Sequence, residues 1–217
     1  MHASALLLLL SLALAANGAA AKEEKARRAA ADGARKGVSQ QLAPACKEAL
    51  KDRRIVILLG ERSSRGVDAN QGSYGAHFAS IAQRLRNLGL RPYSQEEIAA
   101  QITQAEIDAY LRDEADAALD TGRKIDADFV LRGVISSRST RNPALRVPEI
   151  SVDMGFTLAA SDGRPLAALA ARAESYTGND PLGMALTLVN EQASGIVARL
   201  YGDYCRTAGI GRAAQKD

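Results

Sequence analysis

Tryptophan is absent from these 217 residues, phenylalanine occurs three times, and aromatics make up 4% of the chain. A core must therefore be built from Ala, Leu, Ile and Val. Histidine occurs twice, as His2 and His77, too few for a histidine-built metal site. The two cysteines, Cys46 and Cys205, form no CxxC, which argues against a thioredoxin-type redox motif and a zinc knuckle. Gly60, Gly66, Gly72 and Gly75 fit neither G-x-G-x-x-G nor G-x-x-x-x-G-K-[S/T], so no phosphate loop is indicated. The net charge of +3 is too small to imply nucleic acid binding. The apolar run at residues 5–16 spans 12 residues, short of the ~18–20 that cross a bilayer.

That run ends in Ala19-Ala20-Ala21, the h-region and small-residue cleavage site of an export signal, although the n-region offers only His2. The expectation is a signal peptide over 1–21, a mature protein in the periplasm, and no transmembrane segment in the mature chain. No cysteine lies near the cleavage site, so lipid anchoring is not expected. Removing 21 of 217 residues leaves 196, which suits one domain with flexible ends. Residues 22–40 are Ala-rich and charged without an apolar stripe and read as a flexible arm. The domain is expected over 41–206, and 207–217 as a loose tail. In an oxidising space, Cys46 and Cys205 read as one structural disulfide.

A short helix over 44–52 opens the domain. RIVILL, 54–59, is a continuous β-branched run closed by Gly60, the mark of a buried central strand. Residues 61–73 read as a loop. Tyr74, Phe78, Ile81, Leu85 and Leu88 recur at helical spacing, and Gly89 stops that helix. A brief strand, 90–93, follows. Ser94 with Glu97, and Thr103 with Glu106, fit capping boxes, starting a short helix and then a longer one with stripe Ile107, Leu111, Ala115, Ala118 and Leu119. A strand over 127–137 comes next. Residues 147–158 alternate cleanly, with Ile150, Val152, Met154, Phe156 and Leu158 on one side. Asp162-Gly163 is a hairpin turn into a strand over 165–176, where Leu166, Ala168 and Ala170 alternate more weakly. A last helix has Asn179 or Asp180 as N-cap and Pro181 at its first position, with Leu182, Ala185, Leu186, Val189, Ile196, Val197 and Leu200 as its buried stripe. The fold class is α/β: a single mixed sheet, early β-α-β-α-β then an antiparallel meander, packed by helices.

Several phrases resemble one superfamily. They are RIVILL, a helix ending in NLGL before a short strand, GRKIDADFVLRGVI, and ISVDMGFTLAASDGRPL with its DG hairpin. Over residues 53–204 the chain resembles the periplasmic αβ domain shared by the curli-secretion protein CsgG, the penicillin-binding-protein activator LpoB and the N-terminal domain of TolB. The resemblance implies a non-catalytic domain that binds other proteins and builds envelope assemblies. The chain lacks the lipidated cysteine and the long membrane-spanning hairpins of the channel members, so no channel role is implied.

The candidate chemistry is sparse. His77, beside Phe78 on a helix, reads as a packed or surface histidine. Asp113, Glu114, Asp116 and Asp120 read as a solvated helix face, not a catalytic pair. Neither a cofactor nor a metal is called for. Arginine placement is more suggestive. Arg62 and Arg65 follow the first strand, and Arg138, Arg141 and Arg146 follow or border the 127–137 strand. If those strands are parallel, both loops leave the same sheet edge, where ligands often bind. Five guanidiniums there suit an anionic partner. The expected function is that of an envelope accessory or assembly factor, not an enzyme, with an envelope protein as partner. The alternative is a module binding an anionic small molecule or glycan at the same edge.

Overall fold

The computed structural model describes residues 42–112, 124–141, 146–175 and 180–211. By contacts the chain separates into Met1–Gln40 and Gln41–Asp217, and the elements below all belong to the second unit. In chain order they are α1 (Pro44–Leu50), β1 (Arg54–Ser63), β2 (Gly66–Asp68), a 3-10 turn (Gln71–Tyr74), α2 (Gly75–Asn87), β3 (Arg91–Pro92), α3 (Gln95–Gln101), α4 (Gln104–Leu111), β4 (Phe129–Arg141), β5 (Pro148–Ala160), β6 (Pro165–Ser175) and α5 (Pro181–Thr207).

The strands form one mixed sheet in the order β2-β1-β4-β5-β6, with β3 beside the start of β1. β1 runs parallel to β3 and β4, and the other pairs are antiparallel. This is the mixed sheet expected from the sequence. Residues 55–60 of β1 are all buried, which is why RIVILL carries no alternation: helices or other chain cover both its faces. β5 sits further out. Its Ile150, Val152, Met154, Phe156 and Leu158 are buried while Gly155 between them is exposed, the expected alternation.

Strand register places Ile55, Ile57 and Leu59 beside Phe129, Leu131 and Gly133, and these beside Ala160, Leu158 and Phe156. Helix α5 lies on this face. The Phe129 ring meets Tyr201 and Tyr204 edge-on, with centroids 5.7 and 5.2 Å apart. α2 packs along α5, tied by Ser80 to Asn190 Oδ1 (2.6 Å) and by Arg84 to Asn190 O (2.7 Å). Helix α4 covers the other face, where Arg132 donates to Leu111 O (2.7 Å). Cys46 of α1 and Cys205 of α5 are joined as a disulfide, with Cα atoms 5.7 Å apart.

The helix starts match their sequence signals. Ser94 and Thr103 each complete a capping box with Glu97 and Glu106. Asp180 caps α5 by accepting from Gly183 N (2.9 Å), with Pro181 at the first turn.

Other expectations are corrected. The segment read as a loop over 61–73 holds the end of β1, all of β2 and most of the 3-10 turn. Gly60 does not end the strand. A Cβ there would lie 2.9 Å from Val67 and 3.1 Å from Leu111, so the glycine lets β2 and α4 approach. β4 continues to Arg141 because β5 goes on pairing with it, to Arg141↔Pro148, after β1 stops at Arg62↔Ser136. In β6, a register shift at Leu158/Ala159 changes the phase. Leu169, Ala171 and Ala173 lie beside the buried Phe156, Met154 and Val152, while Ala168 and Ala170 are exposed. Arg206 is in the last turn of α5 and pairs with Asp203. The stripe beyond Leu111 and the residues Asp113, Glu114, Asp116 and Asp120 lie outside the described residues, as does Asn179.

Candidate functional site

The parallel pairing of β1 and β4 carries both strands toward the same end of the sheet, and four of the candidate arginines lie along it. Arg62 is the last β1 residue paired with β4, and Arg65 sits in the turn between Ser63 and Gly66. Arg138 and Arg141 continue on β4, two and five residues past Ser136, the partner of Arg62. Arg146 precedes β5 with φ +55°, a left-handed backbone uncommon for arginine. All five are exposed.

Two parts of the expectation change. Arg62, Arg138 and Arg141 lie within strands, not loops. Strand alternation then decides their directions. Arg62 is level with Ser136 and shares its face, and Arg138 is two residues further on, so Arg62 and Arg138 stand on one face. Arg141 stands on the other. The guanidiniums share an end of the sheet but do not converge on one point.

Five arginines elsewhere are matched by carboxylates: Arg53 with Asp128 (2.8 Å), Arg91 with Asp52 (2.8 Å), Arg172 with Asp153 (2.6 Å), Arg54 with Asp126 and Arg206 with Asp203. None of the five candidate arginines forms an ion pair among the described residues. Glu61, next to Arg62 on β1, takes a long bond from Ser137 Oγ (3.4 Å).

His77 is buried, as a packing role requires. Its Nε2–H donates to Leu182 O (3.0 Å), joining α2 to the start of α5. Its Nδ1 has no partner among the described residues. Burial pushes its pKa down, against the pull of the Leu182 carbonyl and of Asp180. Tyr74 lies edge-on to it at 6.2 Å and donates to Asp68 O (3.0 Å). Burial, with Asp68 and Glu61 nearby, pushes the Tyr74 hydroxyl up to about 12. Among the described residues, no three His, Cys, Asp or Glu side chains gather to hold a metal. No helix there is long and apolar enough to cross a membrane.

A second feature escaped the sequence. Beside β1, under α3 and α4, lies a cavity of about 180 Å3 lined by isoleucines and by Gln71, Gln95 and Gln104. No motif marks these glutamines, because the turn and the two helices bring them together from separate stretches of chain.

No protein-family model matches the chain and no curated protein sequence matches it. Solved structures similar to it include the PelC dodecamer from Paraburkholderia phytofirmans, 13% identical over 66% of this chain and 86% of that one, with a TM-score of 0.37. Lipoprotein GNA1162 from Neisseria meningitidis is 17% identical over 66% and 99%, with a TM-score of 0.40. The LpoB C-terminal domain from Salmonella enterica, from one of the proteins in the sequence resemblance, is 14% identical over 61% and 94%, with a TM-score of 0.35. At these identities and TM-scores the similarities say nothing about what this chain binds or does.

Proposed function

We propose that this chain is a non-catalytic accessory protein of the cell envelope, exported to the periplasm, whose arginine-bearing sheet end docks an acidic partner protein. The observation that carries the reading is the gathering of five exposed arginines without ion pairs toward one end of the sheet, whereas Arg53, Arg54, Arg91, Arg172 and Arg206 are paired with carboxylates. Unmatched guanidiniums keep their donors for a partner's carboxylates. The opposite directions of Arg138 and Arg141 favour a protein that straddles the strand ends. A small anion or glycan, the alternative, is better held by groups that converge.

Changing Arg138 and Arg141 together to Ala tests this. Both are exposed, so the stability cost should stay within ~0.5 kcal/mol. Crosslinking in intact envelopes should capture less of the partner, and the salt dependence of binding should flatten. A double mutant that melts like the wild type and captures its partner equally well across a salt series would refute the docking role.

A further inference from the structure

The cavity beside β1 is separate from the arginine end in its lining and in its chemistry. Its volume, about 180 Å3, is close to the ~150 Å3 of an engineered cavity that admits benzene. It therefore suits a body of about six or seven heavy atoms. Ile98, Ile102 and Ile107 supply buried apolar walls.

The polar lining leans toward acceptors. Gln71 spends both amide N–H groups, on Leu59 O (2.7 Å) and Ala69 O (2.7 Å). Gln104 spends both as well, on Ala69 O (3.0 Å) and Asp108 Oδ1 (2.7 Å). Gln95 donates one N–H to Gln71 O (2.8 Å) and keeps its second. These partners are all acceptors, so each amide must turn its nitrogen toward them. At Gln71 and Gln104 the capacity left over is oxygen. Gln71 Oε1 has accepted one bond, from Leu59 N (3.0 Å), and a carbonyl oxygen takes two. Gln104 Oε1 has accepted none among the described residues.

We propose that this cavity binds a small molecule with a branched aliphatic body and an N–H-donating head, carboxamide or ammonium. The body would lie on the isoleucines and the head would donate to the glutamine oxygens. A carboxylate of the same shape meets the oxygens of Gln71 and Gln104 and finds a single lining donor, the second Gln95 N–H, so the site disfavours it.

The test titrates the full chain with three near-isosteric probes: 3-methylbutanamide, 3-methylbutylamine and 3-methylbutanoate. Isoleucine methyl resonances are the readout. The amide and the amine should move the Ile98, Ile102 and Ile107 methyls, with the weak affinity expected of so small a ligand. The carboxylate should bind at least about fivefold more weakly, since an unpaired buried polar group costs about 1–3 kcal/mol. Ala99, exposed on α3, also lines the cavity. Ala99→Trp should block the mouth and abolish the shifts at an unchanged melting temperature. If no probe moves these methyls, or the carboxylate binds as well as the amide, the proposal is wrong. The wild-type titration decides this even if the tryptophan variant fails to fold. Either result leaves the arginine-end proposal untouched.

Discussion

His77 and Gly133 show how single residues are held by what surrounds them. His77 is 4% exposed, and its ring is kept neutral because burial outweighs the pull of Leu182 O and Asp180. The folded pKa lies below the unfolded value of about 6.5. The stabilisation is thus complete above that pH and is lost as pH falls from about 6.5 toward the folded value, since the unfolded chain takes up the proton first. Urea midpoints at several pH values should fall across this window for the wild type. His77→Gln, which keeps a donor for Leu182 O, should remove that part of the slope; an unchanged slope would show that His77 is not its source. Glu106 acts in a different window. The Lys124 ammonium, then Thr103, holds its carboxyl down to about 2, so its contribution goes only as pH falls from about 4.5 toward 2. Gly133 is required by space. A Cβ there would lie 2.6 Å from Leu59 Cδ2 and 3.4 Å from the Phe156 ring. Leu59 is fully buried and has little room to yield. Gly133→Ala should cost about 1–3 kcal/mol by overpacking, read as a lower chemical-denaturation midpoint.

Among the elements, β1 depends on an unusual edge. β3 pairs with it at Arg54 and Ile55, and β2 only from Glu61 onward. In the gap, the Gln71 amide stands in for a strand, accepting from Leu59 N (3.0 Å) and donating to Leu59 O (2.7 Å). Gln71→Leu would leave both buried backbone groups unpaired. The expected loss is roughly 2–6 kcal/mol, at about 1–3 for each group. Gln71→Glu retains the acceptor but not the donor, and should fall between the wild type and Gln71→Leu. Thermal melts of the three proteins provide the ranking; equal melting temperatures for Leu and wild type would mean that the edge does not need the amide.

For the whole molecule, the Cys46–Cys205 bridge spans 159 residues of sequence and ties α1, before the first strand, to the end of the last helix. In the chain-entropy account a loop this long stabilises by about 4–5 kcal/mol by restricting the unfolded chain. A Cys46→Ala/Cys205→Ala double variant should therefore melt roughly 10–20 °C lower. Alkylation of the unreduced, denatured wild type should label neither thiol. Full labelling would show that the bridge does not form.

The strongest local signals in the chain were enough to place the sheet and its helices. RIVILL marked a doubly covered strand because its apolar residues do not alternate. β5 announced its buried face by alternation, and Ser94, Thr103, Asp180 and Pro181 announced helix starts through hydrogen bonds that span only a few residues. Such features are local, so composition and spacing reveal them. β2 was not legible: it is three residues long and its pairing comes from β1. Nor was the phase of β6, which one bulge reverses, or the reach of β4 to Arg141, which depends on how far β5 runs beside it. The arginines could be named from sequence, but only strand register separates Arg138 from Arg141 by face. The cavity was invisible for the same reason. Gln71, Gln95 and Gln104 are ordinary polar residues until the turn, α3 and α4 close around β1, and it is the tertiary hydrogen bonds that use up their donors and leave oxygen.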